Sequence, residues 1–189
     1  MRRRALIATS LLATSLMGIL MSESADAQAN LDPANTLYMD LTYGRVVIRL
    51  RPDLAPKHVE QVKSLVAKHF YDNTPFHRVI EGFMAQGGDP TGTGTGGSPL
   101  PNIPAEFSKT AHFLRGTVGA ARSGDPNSAN SQFYIMFAPA THLDGQYTIW
   151  GQVVQGMEFV DKIKRGAGGN GQVQNPDRIL KMRLATDPQ

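Results

Sequence analysis

Residues Phe76–Pro99 read FHRVIEGFMAQGGDPTGTGTGGSP. Two short apolar runs, FHRVI and FMAQGG, flank Glu81-Gly82, and a glycine-rich stretch follows. Runs of this length bounded by turn residues read as strands. Gly92, Gly94 and Gly97 satisfy G-x-G-x-x-G, the spacing of a dinucleotide-binding loop. Such a loop has to open a helix, because the helix N-terminus supplies the anion-binding amides. Here it runs into SPLPNIPAEF, where Pro99, Pro101 and Pro104 break any helix and bias their predecessors toward extended backbone. No acidic residue follows at the spacing of a βαβ unit, and no Walker lysine is present. The glycines read instead as a surface loop with unusual backbone angles. A nucleotide-binding enzyme is thereby disfavoured.

Outward from this stretch, strands dominate. TLYMDLTYGRVVIRL reads as a hairpin: Leu37, Met39 and Leu41 alternate, Tyr43-Gly44 turns, and Val46, Ile48 and Leu50 alternate again. TVGAA, QFYIM, YTIWGQVV and RILKMRLA are further strands. APKHVEQVKSLVAKHF reads as a helix with Val59, Val62, Leu65, Val66 and Phe70 on one face and Pro56 in its first turn. GMEFVDKIKRG reads as a second helix, with Phe159, Val160 and Ile163 inward and Gly166 as its stop. Many short strands without strand–helix alternation argue against a doubly wound sheet and favour a closed or nearly closed antiparallel barrel.

The N-terminus has its own logic. MRRR is followed by the apolar run ALIATSLLATSLMGILM and by SESADAQA, whose Ala27-Gln28-Ala29 fits a signal-peptidase site. The expected organisation is a signal peptide over 1–29, a linker over 30–35 and one domain over 36–189. The expected location is periplasmic or secreted through a Sec-type route, with no membrane span after cleavage; the alternative is an uncleaved membrane anchor, against which the apolar run is short for a spanning helix and is interrupted by Ser and Thr. The residues after Arg2-Arg3 fit the twin-arginine route poorly. Cleavage leaves 16 basic and 14 acidic residues with no basic run, so no nucleic-acid partner is expected. The absence of cysteine excludes disulfides, a thiol nucleophile and Cys-ligated zinc. His58, His69, His112 and His142 lack zinc-site spacing, and no G-x-S-x-G elbow or paired carboxylates point to a hydrolase.

FHRVIEGFMAQGGD, Phe76 to Asp89, matches F-H-R-x-I-x-x-F-x-x-Q-G-G-D at every fixed position. This resembles the signature of the cyclophilins, a family of peptidyl-prolyl cis-trans isomerases. The GTGTGG loop, RGTVGAAR, NSQFYI and LDGQYTIWGQV also look like the family's, in the expected order from about Thr36 to Ala185. The resemblance implies a mainly β fold: a closed eight-stranded antiparallel barrel capped by two α-helices. It implies an enzyme that acts on proline-containing polypeptides and uses no metal or cofactor. No exposed apolar strip in the sequence suggests more than a monomer.

The chemistry explains why so few groups suffice. An X-Pro bond rotates over about 18–20 kcal/mol because the nitrogen lone pair is delocalised into the carbonyl. No bond breaks, so a catalyst has only to favour the twisted amide over the planar one. The resemblance assigns this to Arg78, Phe83 and Gln86, with Arg78 donating to the prolyl nitrogen. It places Met84, Tyr134 and Leu143 in the ring pocket with Phe83, and Gln132 as a supporting amide. Ala121 and Arg122 match the segment that pairs with the substrate chain, and Gly94 falls in the loop beside the neighbouring subsite. His77 is expected to be a structural hydrogen-bonding residue, since the reaction needs no base. A pure proline-peptide binder is the other class of function, and the retained arginine argues against it.

Four positions depart from the family. Arg122 stands where many members have Asn, Tyr134 where Phe is usual, and Tyr147 where the pocket wall is usually His. His142 replaces the tryptophan associated with tight cyclosporin binding. The resemblance therefore implies weak cyclosporin binding. An inhibition assay on the mature protein is expected to give a constant well above the nanomolar range, and nanomolar inhibition refutes this reading.

Overall fold

The computed structural model describes residues 31–188. The expected signal peptide lies outside the described residues. A 3-10 turn at Pro33–Asn35, within the expected linker, leads into the first strand. The eight strands are β1 (Thr36–Leu41), β2 (Gly44–Leu50), β3 (Arg78–Ile80), β4 (Met84–Gly87), β5 (Thr117–Ala120), β6 (Phe133–Met136), β7 (Ile149–Gln155) and β8 (Lys181–Leu184). They form one antiparallel sheet in the order β3-β4-β6-β5-β7-β2-β1-β8.

The eight-stranded antiparallel architecture is as expected, but the barrel is not closed by a strand ladder. The edge strands β3 and β8 share no ladder. The gap is crossed by irregular chain: Pro75 bridges Arg178. Asn73 N–H donates to Ile179 O (2.7 Å), Ile179 N–H to Thr74 O (3.0 Å) and Phe76 N–H to Asp177 O (2.9 Å). Proline at 75 has no N–H to give, so a regular ladder stops there. The free edge of β8 is covered by Asp72, which accepts from Met182 N–H and pairs with Arg183.

The first hairpin turns one residue earlier than expected, at Thr42-Tyr43, and Gly44 already belongs to β2. Helix α1 (Pro56–Ala67) buries Val59, Val62, Leu65 and Val66 as its spacing predicts, but it ends before Phe70, which lies in the following turn and is only partly buried. It has no local side-chain cap. Glu106 supplies one from far along the chain, accepting from Lys57 N–H and His58 N–H and meeting His58 Nδ1 at 2.6 Å. The second helix, α2 (Met157–Val160), is much shorter than GMEFVDKIKRG suggests. Beyond it the hydrogen bonds tighten to three-residue spacing, Lys162 to Phe159 and Ile163 to Val160. The Arg165 guanidinium takes the carbonyls of Asp161 and Ile163, acceptors that a continuing helix would need.

The core has two parts, one on each face of β3–β6. Phe133, Ile135, Val79, Ala85 and Val118 join the barrel interior. Met84, Tyr134, Met136 and Phe113 form a second cluster. This is why β5 and β6 are buried at every residue instead of alternating. Phe133 meets Tyr71, Phe76 and Trp150 edge-on, with ring centroids 5.7–6.4 Å apart. Phe133→Ala is expected to cost about 3–5 kcal/mol, read by urea unfolding; a loss under about 1 kcal/mol overturns that view of the core.

Candidate active site

The sheet register assembles the site. Arg78 on β3 faces Gln86 on β4, Gln86 faces Tyr134 on β6, and Tyr134 faces Gly119 on β5. Directly opposed residues share a face, so four strands present one row on the side away from the barrel interior. Two residues away along the chain, Met84 on β4 and Gln132 just before β6 join that face. Arg78, Phe83, Met84, Gln86, Ala121, Arg122, Tyr134, Leu143 and Tyr147 line one cavity of about 200 Å³. That is below the roughly 300–1,000 Å³ of pockets for drug-sized ligands and suits a small ring.

Gly94 and Gln132 line a second cavity of about 550 Å³, bounded by hydroxyl and amide side chains such as Thr95, Ser98, Ser128 and Asn130. Gln86, Ala121 and Arg122 belong to both cavities. His142 lines neither; it stacks on Phe83 at a centroid distance of 5.9 Å.

Hydrogen bonds run through the row in one direction. Arg78 Nη1 donates to Gln86 Oε1 (3.1 Å), Gln86 Nε2 to Gln132 Oε1 (2.9 Å), and Gln132 Nε2 to Gly94 O (3.0 Å) and Gly96 O (2.8 Å). Arginine only donates and a carbonyl only accepts, so the two ends fix both amide orientations. Arg78 Nε donates to Asn170 O at 2.9 Å. Nη2 keeps no protein acceptor among the described residues and belongs to the residue lining the smaller cavity.

Tyr134 is 5 % exposed, and its hydroxyl has no partner among the described residues. Burial first, and the neighbouring Tyr147 second, raise its pKa far above the ordinary phenol range, so it stays protonated. The ring fits because position 119 lacks a side chain. A Cβ there would lie 2.6 Å from Tyr134 Cζ and 2.7 Å from Phe113 Cε1. Arg122 lies over the Tyr147 ring at 4.3 Å and donates to Gln146 O and Ser123 O. Ala121 N–H is taken by Gln132 O.

The glycine loop does hold an anion, but one of the chain's own. Asp89, 0 % exposed, accepts Thr91 N–H (2.8 Å), Thr91 Oγ1 (2.8 Å), Gly94 N–H (2.7 Å) and Gly96 N–H (3.1 Å). Gly92 and Gly94 adopt φ of +69° and +85°, which lets successive amides converge on one carboxylate. Burial works to raise the Asp89 pKa, but the Thr91 hydroxyl and the three amides outweigh it and hold it below 3.8. The sequence motif ends on Asp89 without revealing this role.

His77 departs from expectation. It is buried under Gly94, and neither ring nitrogen has a hydrogen-bond partner among the described residues. Burial lowers its pKa, offset in part by the charge of Asp89 and the nearby Pro75 carbonyl, and Arg78 lowers it further. Its ring packs beneath the loop, 3.6 Å from where a side chain on Gly94 would begin. The Asn170 carbonyl has no counterpart in the sequence reading; a backbone acceptor 92 residues from Arg78 leaves no side-chain signal.

Known proteins with similar sequences and structures point the same way. A family model described as cyclophilin type peptidyl-prolyl cis-trans isomerase/CLD matches residues 36–184. A probable peptidyl-prolyl cis-trans isomerase of Brucella suis is 50 % identical over 197 residues, covering 98 % of this chain and 97 % of its own. The cyclophilin AquaCyp293 of Hirschia baltica superposes with a TM-score of 0.75 at 26 % identity, over 87 % of this chain and 81 % of that one. A Cryptosporidium parvum cyclophilin type peptidyl-prolyl cis-trans isomerase, its crystal structure solved in the presence of the dipeptide Ala-Pro, gives 0.74 at 28 % identity, over 80 % and 99 %.

The lowered carboxyl of Asp89 sets a pH response. Its contribution to stability is complete above the ordinary value of 3.8 and is lost as pH falls through the lower, folded-state value. In urea unfolding from about pH 5 to about pH 2.5, wild type is expected to lose stability more steeply than Asp89→Asn. Equal slopes remove Asp89 from the acid response.

Proposed function

The chain belongs to the cyclophilin-type peptidyl-prolyl cis-trans isomerase family, and from that premise we propose that Arg78 Nη2 donates to the prolyl nitrogen as the X-Pro bond twists. The observation that carries this is a guanidinium tied at Nε and Nη1 with Nη2 unclaimed beside a ring-sized cavity.

In the planar amide the prolyl nitrogen has no lone pair to offer. At the twisted geometry it does, so the donor stabilises the transition state selectively. Phe83, Met84, Tyr134 and Leu143 hold the ring while the preceding carbonyl turns. The apolar walls exclude water and disfavour the more polar planar form. Uncatalysed exchange takes tens to hundreds of seconds. An acceleration of four to five decades needs roughly 5.5–7 kcal/mol. One charge-assisted hydrogen bond contributes about 1.5–3 kcal/mol, so the pocket supplies the larger share.

The substrate chain lies along Arg122 and into the larger cavity. Ala121 N–H is already bonded internally, so the main chain of Arg122 is the part that pairs with the peptide as an added strand. Rotation about the amide breaks no bond and moves no electrons between partners, so the reaction calls for no metal or cofactor.

In a protease-coupled assay or by exchange spectroscopy on an Ala-Pro peptide, Arg78→Ala is expected to lower kcat/KM roughly 10- to 150-fold, from the hydrogen-bond energy above. Arg78→Lys keeps the charge but loses the planar fork, so it recovers only part of the rate. Equal rates for wild type and Arg78→Ala take Arg78 out of the mechanism.

The biological setting is proposed on the N-terminal sequence: an exported isomerase that assists folding of envelope or secreted proteins. No helix among the described residues is long and apolar enough to cross a membrane. Expressed with its own N-terminus in a Gram-negative host, the protein is expected in the periplasmic fraction with Asn30 as its first residue. Retention in the cytoplasm at full length overturns the export reading.

A further inference from the structure

We propose that the peptide joining Asn170 to Gly171 is the positioning element of Arg78, and that Gly171 is the residue which aims it. The inference rests on the isomerase reading above and adds a second requirement to it.

At the outer edge of β3, the chain at 166–173 is annealed along the strand. Val79 N–H donates to Gly171 O (2.7 Å), Gly166 N–H to Val79 O (2.9 Å) and Val173 N–H to His77 O (3.0 Å). Gln172 bridges both Arg78 and Ala167. The segment therefore covers the β3 edge and brings the Asn170 carbonyl within 2.9 Å of Arg78 Nε.

Two glycines make this contact sterically feasible. Gly171 has φ +73°, in the left-handed region. A Cβ there would collide with Ile80 Cγ1 and lie 2.9 Å from Val79 O. A Cβ on Gly166 would collide with the carbonyl of Gly171. Side chains at these positions would hold the segment off β3. The Asn170 side chain adds a local lock, since its Oδ1 accepts Gln172 N–H at 3.2 Å.

The consequence falls on the guanidinium. Gln86 alone holds Nη1, and one hydrogen bond leaves the group free to swivel. The second bond, at Nε, removes that freedom and fixes where Nη2 points. Small misplacement of a group that acts only in the transition state costs rate, with substrate binding largely spared. Asn170 and Gly171 touch no substrate in this account; they act through Arg78.

The test uses the mature protein and Gly171→Ala. The expected result is a fall in kcat of about tenfold with KM changed less than about twofold. The Nε–Hε correlation of Arg78 in a ¹H–¹⁵N spectrum, assigned by its loss in Arg78→Ala, is expected to shift and to exchange faster with solvent. Gly169→Ala is the control. A Cβ at Gly169 meets nothing within 4 Å, so both readouts are expected to match wild type.

If Gly171→Ala does not fold, glycolate at position 171 takes its place. The resulting ester adds no side chain and weakens the Asn170 carbonyl as an acceptor, and the same two changes are expected. The proposal is overturned by an unmoved Nε–Hε signal in the folded variant. It is equally overturned by a kcat loss that persists undiminished in an Arg78→Ala background. If wild type lacks isomerase activity, the isomerase reading fails, and the Nε–Hε signal still decides whether Asn170–Gly171 holds Arg78.

Discussion

Arg78 can donate hydrogen bonds and cannot accept them, and the site is organised around that asymmetry. Its Nη1 sets the orientation of Gln86, Gln86 sets Gln132, and Gln132 ends on the carbonyls of Gly94 and Gly96. From the other side, Asp89 gathers the amides of the same loop. The loop is thus held by a carboxylate at its N–H groups and by an amide at its C=O groups. Reversing any member would set two donors or two acceptors face to face, which a half-buried network tolerates poorly.

The chain of contacts also links the two cavities. Gln86 and Arg122 line both, so what fills the larger one meets the partner of Arg78 directly. A prolyl ring in the smaller space and the flanking peptide in the larger one would be read by one continuous polar row. The apolar walls and the polar row have separate roles. In the proposed mechanism the walls hold the ring and exclude water, while the row holds the donor still.

A second constraint is the burial of β5 and β6 at every residue, with apolar clusters on both faces of the sheet there. One face completes the barrel interior around Phe133. The other carries Met84, Tyr134 and Met136 as a separate apolar cluster. That second cluster is the floor of the smaller cavity: Met84 and Tyr134 at its base stand on packed strands, while Phe83, Ala121, Arg122, Leu143 and Tyr147 join it from turns and loops. Its shape depends on an absence: with no side chain at Gly119, the rings of Tyr134 and Phe113 lie close against β5. The Tyr134 hydroxyl, buried and without a partner among the described residues, marks where this pocket is more polar than one built on phenylalanine.

Local patterning was enough for much of this. The alternation of Leu37, Met39 and Leu41, the helical face of Val59 to Val66 and the proline run after the glycine loop each declare their structure through nearest neighbours. The motif from Phe76 to Asp89 named Arg78, Phe83 and Gln86, and the structure places all three at one cavity. The length of α2 was not legible, because Arg165 captures the carbonyls that a longer helix would use. The bridging of β3 and β8 by irregular chain was hidden by long-range pairing, and the stacking of the exposed His142 on Phe83 by contact between residues 59 positions apart. The occupant of the glycine loop, the acceptor at Asn170 and the cap that Glu106 lends to α1 belong to the tertiary structure alone. Each joins groups that are distant in sequence or turned into place by the fold, or rests on a backbone atom that every residue carries. Side-chain periodicity records which face is apolar; it does not record which carbonyl or carboxylate a folded chain will bring to meet it.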